Sequence, residues 1–467
     1  MQLWQMSAVG LAGLVRSREL SSSELVQACL DRIEAVNPGL NAIVTLAPER
    51  ALADAARLDA LAARGEFAGA LHGLPIAIKD LAETDGIRTT YGSPVFASNV
   101  PDFDAPHVAL LKRAGAVVIG KTNTPEFGAG SQTFNAVFGA TRNPWDPRLT
   151  PGGSSGGAAA AVASGMIPFA DGSDLAASVR NPAAFCGLTG LRPTPGLVPC
   201  DPLDPLAVVG PIARSAEDAA LLLAGLCSAD QGVPLARPDR PADFLGLRPA
   251  SLAGLRVAWT PDLGDLPVQP EVAAVLSGFL AVLASAGCVL ADDAPSLSDA
   301  DEVFQVLRAA MMAGFAGLLR DNRESVKETL AWNIGKGVAL TGDVIASARA
   351  AQGEIFARMK SFLGGHDGGH DGGYDVLALP TVQVLPFPVE QEWVTSINGV
   401  PQPTYIDWLR SCSRITVTLH PAISVPVGVT ASGLPVGLQL VGPYGADRRL
   451  LEIAAAIGEL APPRSPW

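Results

Sequence analysis

Three short passages of this chain carry the residues best equipped for chemistry. One, Leu71-His72-Gly73-Leu74-Pro75-Ile76-Ala77-Ile78-Lys79-Asp80, ends an apolar run on a lysine. The second, Pro151-Gly152-Gly153-Ser154-Ser155-Gly156-Gly157, is a glycine-rich loop holding two adjacent serines, and the third runs Gly172-Ser173-Asp174-Leu175-Ala176-Ala177-Ser178-Val179-Arg180-Asn181-Pro182. Serine and lysine together point to nucleophilic catalysis, because a hydroxyl attacks poorly until a neighbouring base takes its proton. Lysine is such a base only when neutral, so its ordinary pKa of about 10.4 would have to fall to roughly 7 to 8. Burial is the means, and Ile76, Ala77 and Ile78 supply apolar surroundings. Strand alternation turns Asp80 away from the face of Lys79 and denies the ammonium a close partner. Outside such a setting, Lys79 is an ordinary salt-bridged or snorkelling side chain.

The elements that must position these residues are legible in outline. Leu74–Asp80 is short, apolar and bounded by Gly73, so it reads as a buried strand ending at Lys79 or Asp80. A helix over Val108–Ala114, stopped by Gly115, precedes a second strand over residues 116–120. Upstream, Leu25, Cys29, Leu30 and Ile33 fall at helical spacing after capping serines 21–23, with Glu24 in the first turn. A second Ala- and Leu-rich helix covers about 49–64. Helix and strand alternate, which predicts a mostly parallel sheet covered by helices on both faces. Ser154 enters an Ala-rich helix, where a hydroxyl could simply cap a backbone N–H, and Ser155 could take that duty instead. Residues 231–253 read as a proline-rich surface connection, 270–290 and 300–362 as helices, 422–427 and 436–441 as strands, and 448–460 as a closing helix.

Read together, the three passages resemble the amidase signature family. The likeness continues through Lys121-Thr122-Asn123-Thr124-Pro125-Glu126, Asn143-Pro144-Trp145-Asp146 and Gly433-Leu434-Pro435-Val436-Gly437-Leu438-Gln439, in the order that family shows. The resemblance implies a Ser-Ser-Lys triad, with Ser178 as nucleophile, Ser154 as proton relay after a cis peptide bond, and neutral Lys79 as base. It implies hydrolysis of a small-molecule amide through an acyl-enzyme, with no cofactor and no metal. Ser155 is expected to support the loop, and Asp174 and Arg180 to pair and brace it. Positions Gly128, Ala129, Gly130, Ser131 and Gln132 align with a segment that lines the substrate passage in relatives, although packing against the sheet explains small residues nearly as well. The N–H groups of Leu175, Ala176, Ala177 and Ser178 could converge on a developing oxyanion. Here the chain departs from its family, whose Gly-Gly before the nucleophile is Ala176-Ala177. Alanine is penalised wherever φ must be positive, so either both positions keep φ below zero or the hole is altered. The added methyl groups predict a narrower tolerance for branched acyl groups.

Rival readings are weaker. Gly152-x-Ser154-x-Gly156 fits the G-x-S-x-G elbow, which needs a later histidine, and only His366, His370 and His420 follow. His366-Asp367 and His370-Asp371 sit in a glycine-rich tandem repeat that is a poor scaffold for a metal and is expected to be mobile. No Gly-Lys-Ser/Thr follows the glycine-rich loop, which argues against phosphate binding. Within the family, an amidotransferase subunit releasing ammonia from glutamine would need partner subunits. A non-catalytic binding protein would have no reason to keep Lys79, Ser154 and Ser178 together.

Composition sets the remaining bounds. The chain has 467 residues with 48% apolar content, 49 Gly and 38 Pro, a mixture expected of an α/β protein with many turns. Length alone suggests about three domains. The resemblance spans nearly the whole chain instead and implies one large amidase domain over 1–467. Its parts are an N-terminal helical portion (1–65), a signature core (66–230), a variable, mostly helical region roofing the substrate site (231–410) and closing strands and helix (411–467). A net charge of −13 without basic runs disfavours nucleic acid. The start lacks a basic, apolar leader and no stretch of ~18 uninterrupted apolar residues occurs, so a cytoplasmic location without a membrane is the default expectation. The six scattered cysteines read as free thiols, buried for the most part. A homodimer is compatible with this composition.

Overall fold

The computed structural model describes residues 2–200, 204–227, 235, 237–364, 373–461 and 465–466. Two sheets meet in the region that holds the reactive passages. The smaller has three strands in the order Ile43–Leu46, Val117–Thr122, Pro75–Lys79, and its last two strands run parallel. The larger has eight, in the order Val289–Asp292, Arg256–Trp259, Val376–Pro380, Pro435–Val441, Ala422–Val429, Thr189–Arg192, Val208–Ala213, Phe169–Asp174.

The α/β class and the helix-covered mixed sheet agree with the sequence. The balance of strand directions does not. Within the large sheet only Val289–Asp292 with Arg256–Trp259, and Val376–Pro380 with Arg256–Trp259, pair in parallel. All other neighbours are antiparallel. The helix-strand alternation that suggests parallel crossovers belongs to the first third of the chain, and there it builds the separate small sheet. The large sheet is instead dominated by the strand pair Ala422–Val429 and Pro435–Val441, joined by a tight turn. The strand expected at 116–120 runs to Thr122 and so carries Lys121 as well.

Local signals place most helices well. Ser21 and Glu24 form a reciprocal capping box at the start of Ser22–Leu40, which runs past the expected end through Pro38 and stops at Asn41 in a left-handed conformation. Gly156–Ala163 is buried on every side, which explains its run of alanines: it packs against both sheets and has no room for larger side chains. One continuous apolar core threads the N-terminal helices, both sheets and the closing helix Asp447–Leu460. A second gathers helices Ala300–Met312 and Gly342–Phe362 against the large sheet. The helical run Ala300–Asp321 is long and apolar enough to match a membrane span by composition, yet Phe304 and Leu307 pack in that second core and Met312 in a further apolar cluster with Leu330 and Ile334. Of the cysteines, Cys200 is half-buried and the other five are buried, and those five are free thiols. The His366 and His370 repeat lies outside the described residues.

Candidate active site

The strand Pro75–Lys79 is buried at every position and delivers Lys79 to the junction of the two sheets, where it is 1% exposed. Its Nζ lies 2.7 Å from Ser154 Oγ, 2.8 Å from Ser155 Oγ and 2.9 Å from Ser173 Oγ. All three partners are hydroxyls, and no carboxylate lies within ion-pair distance of Nζ among the described residues. Burial pushes Lys79 down from 10.5 to about 7, while Asp171 and Asp174 pull the other way. That fall corresponds to on the order of 5 kcal/mol against the ammonium. Asp80 points elsewhere, as alternation requires: its carboxylate accepts from the N–H and hydroxyl of Thr90.

Ser154 follows a cis peptide bond from Gly153. Glycine is required at 153 because a Cβ there would stand 2.8 Å from the backbone of Gln132. Neither serine caps the following helix. Ser155 is its N-cap by position but makes no side-chain cap; Thr133 Oγ1 accepts from Gly156 N at 3.0 Å instead. This frees both serine hydroxyls for Lys79, and Ser155 Oγ also reaches Ser173 O at 3.4 Å.

Ser178 is half-buried and tied to the serine loop through its backbone, its carbonyl accepting from Ser155 N at 3.2 Å. Its hydroxyl is held by no other group among the described residues, and a hydrogen bond from Ser178 to Ser154 is not formed in this arrangement. Asp174 and Arg180 pair, as expected. The two are fully buried and 2.9 Å apart, with Arg192 Nη1 3.6 Å from the same carboxylate. Burial alone would raise the Asp174 carboxyl, but the two guanidinium groups outweigh it and hold it below the ordinary range. Arg180 also grips the loop that carries Ser178, donating from Nη2 to Ala176 O at 2.9 Å. Thr416 Oγ1 donates to the same oxygen at 3.3 Å.

The loop is therefore held by its carbonyls: Ala176 O by Arg180 and Thr416, Ala177 O by Asn181 N at 2.7 Å, Ser178 O by Ser155. The N–H groups of Leu175, Ala176, Ala177 and Ser178 have no partner among the described residues, the condition an oxyanion hole needs. Neither Ala176 nor Ala177 has a positive φ, so alanine enters without backbone strain. Ala177 is buried in a cluster with Phe185, Trp408 and Leu409, and half-buried Ala176 packs against the core that contains Tyr405 and Ile406.

Within the segment expected to line the passage, Gly128 adjoins the serine loop: a Cβ there would lie 3.6 Å from Ser154 Oγ. Ala129 is buried against Met312 and Leu330, a Cβ on Gly130 would meet Pro125, and Ser131 Oγ accepts from Trp408 Nε1 at 3.0 Å. Gln132 binds the carbonyls of Val389 and Gln391. For these four, packing is the observed role. His420 is not near the serines; it is buried between Phe356 and Tyr444 with Nδ1 2.7 Å from Thr418 O, and burial pushes it down to about 4. His420 therefore does not serve as the histidine that the elbow reading of Ser154 needs, and His366 and His370 lie outside the described residues. Among the described residues no cluster of three or more metal-ligating side chains occurs.

Two participants escape a motif-based reading. Asp171 and Ser173 precede the recognised Asp174, and the signal for them is the two-residue period of strand Phe169–Asp174, which puts both on the side facing Lys79. Ser173 supplies the third hydroxyl, and Asp171 Oδ1 accepts from Lys79 N at 3.0 Å.

Comparison with known proteins points the same way. The family model described as Amidase matches residues 24–451. An acylamidase of Rhodococcus erythropolis is 37% identical, over 98% of this chain and 96% of its own. A glutamyl-tRNA(Gln) amidotransferase subunit of Moorella thermoacetica is 34% identical with the same two coverages. Among solved structures, a bacterial aryl acylamidase of the amidase signature family superposes with a TM-score of 0.88 at 27% identity, over 98% of this chain and 96% of that one.

Proposed function

Because the chain belongs to the amidase signature family and is an amide hydrolase, we propose that it cleaves acyl amides through a Ser178 acyl-enzyme, with Ser154 as relay and neutral Lys79 as base. The observation that carries this reading is the buried Lys79 amine meeting three hydroxyls and no carboxylate. A neutral amine has two N–H donors and one lone pair. Ser155 and Ser173 accept the donors, and the lone pair takes the proton of Ser154.

Ser178 Oγ then attacks the amide carbon while its proton passes to Ser154 Oγ and the proton of Ser154 to Lys79. The carbonyl oxygen, now an oxyanion, rests on the free N–H groups of the 175–178 loop. Collapse breaks the C–N bond as the proton returns through Ser154 to the departing nitrogen. Water repeats the sequence on the ester and releases the acid. The hydrogen bond from Ser178 to Ser154 forms in this scheme when substrate enters, as catalytic hydrogen bonds commonly tighten then. No step calls on a cofactor.

Acyl and aryl amides are the proposed substrates because the acylamidase relatives carry those names. The amidotransferase relative gives a second reading, ammonia release from glutamine with partner subunits. Both are tested together. Incubation with a fluorophosphonate, peptide mapping, and a panel of anilides, short-chain amides and glutamine should show labelling at Ser178 and turnover of anilides with no ammonia from glutamine. Labelling elsewhere removes Ser178 from its role, and glutamine turnover without anilide turnover transfers the protein to the second reading. A cytoplasmic setting without nucleic acid or membrane belongs to the same proposal, as does a homodimer.

A further inference from the structure

Behind Lys79, on the side that Ser173 faces, lies a cavity of about 240 Å³ lined by Lys79, Glu83, His107, Asp171, Ser173 and Cys200 among others. Among the described residues, Asp171 and Glu83 are the two carboxylates in its lining, and Asp171 is the one hydrogen-bonded to the lysine's backbone. Its carboxylate is 2% exposed, Oδ1 accepts from the backbone N–H of Lys79 at 3.0 Å, and Oδ2 stands 3.5 Å from His107 Nε2. His107, in the first turn of helix Pro106–Arg113, is buried, and its Nε2 has no hydrogen-bond partner. Its N–H is therefore available to that oxygen.

The charges around the base are unequally answered. Asp174, on the same strand, is paired with Arg180 and flanked by Arg192. Asp80, directly after the lysine's strand, is turned towards Thr90, and Lys121, on the adjacent strand, is spent on Ala82 O, Thr84 and Thr89. Lys112 is occupied by Asp104. Glu83 is bound by Tyr91 OH. Among the described residues, the one cation-forming side chain within 4 Å of Asp171 is His107.

We infer that His107 is a positioning residue for the Lys79 base, acting through Asp171: its N–H turns Oδ2 towards the cavity and offsets charge that would otherwise hold Lys79 as an ammonium. The inference rests on Lys79 being the base. An unanswered carboxylate near a lysine favours the charged form, so the two members of the pair act in opposite directions. Removing the carboxylate makes Lys79 a base at lower pH, and removing the imidazole makes it one only at higher pH.

The test is the pH profile of kcat/KM on an anilide, whose acid limb reports the free enzyme's base. Asp171→Asn should move the midpoint of that limb down by about one pH unit and His107→Leu, which has no donor, should move it up by about half of one. In the Asp171→Asn background, His107→Leu should then move nothing. His107→Ala, with thermal denaturation run alongside, guards against a folding defect in the leucine variant. A purely structural role would lower kcat and leave the midpoints in place. Unmoved midpoints, shifts of the same sign, or a His107 effect that survives in the double variant overturn the inference. Lys79→Met separates the two claims: retained activity removes the base itself, whereas lost activity with unmoved midpoints removes His107 alone.

Discussion

Two buried lysines stand on neighbouring strands of the small sheet, and they have been put to different uses. Lys79 ends one strand beside Thr122, and Lys121 pairs in register with Ile78. Burial pushes both amines down, Lys79 to about 7 and Lys121 to about 8, and in both it is the largest cause. What differs is the company. Lys121 donates to Ala82 O and to the hydroxyls of Thr84 and Thr89, all in the stretch that follows strand Pro75–Lys79, with Asp80 the carboxylate that favours its charged form most. It ties that stretch to the sheet. Lys79 meets only hydroxyls, and two of them belong to a loop that leads by backbone contact to Ser178. A perturbed lysine is thus no signature of catalysis by itself; the groups that can pass its proton onwards decide.

The comparison breaks first on activity. Lys79→Met should reduce kcat/KM on an anilide at least a thousandfold while the folded protein persists, since a base contributes ~10²–10⁴-fold and here it also orders the relay. Lys121→Met should leave kcat/KM of the folded fraction within a few fold. Equal losses in the two variants, measured on protein matched for circular dichroism, would erase the distinction.

Stability against pH sharpens it next. The folded chain holds Lys79 neutral above about 7, whereas the unfolded chain keeps its proton to about 10.5. Between those values the unfolded state binds more protons, so wild-type stability should rise with pH relative to Lys79→Met, and the difference should be flat outside the window. Its size is on the order of a few kcal/mol. Denaturant unfolding of both proteins from pH 6 to 10 measures it, and parallel curves would mean that Lys79 is not desolvated. For Lys121→Met the unfolding free energy should drop by ~3 kcal/mol at pH 7, because a buried carbonyl and two hydroxyls lose their donor.

The smallest effect concerns the alanines before Ser178. Ala177 belongs to the Phe185 and Trp408 cluster, so Ala177→Gly should cost about 1 kcal/mol and leave selectivity alone. Ala176 is half-buried beside the site, and Ala176→Gly should raise the kcat/KM ratio of branched to linear acyl anilides by about two- to fivefold. An unchanged ratio would place both methyl groups outside the acyl pocket.

Much of this was open to reading in the chain itself. The apolar run 74–78 followed by Lys79, the Gly-Ser-Ser-Gly turn and the Asp174-x-x-x-Ser178-x-Arg180 spacing are local patterns, and each folds as its neighbours dictate. Strand alternation correctly turned Asp80 away from Lys79. Tertiary structure decided what no local pattern carries. It joined strand Phe169–Asp174 to the lysine strand, which made Ser173 and Asp171 its partners, and it gave helix capping to Thr133 so that Ser155 was left for the amine. It paired the large sheet mostly antiparallel, and over 128–132 it packed Ala129, Gly130 and Ser131 against neighbours and bound Gln132 to backbone carbonyls. Residue types and short-range geometry determine which groups can react. Which of them meet, and what charge surrounds the meeting, depends on contacts between segments as far apart as Lys79 and Asp171, and desolvation exists only once those segments have closed around the amine.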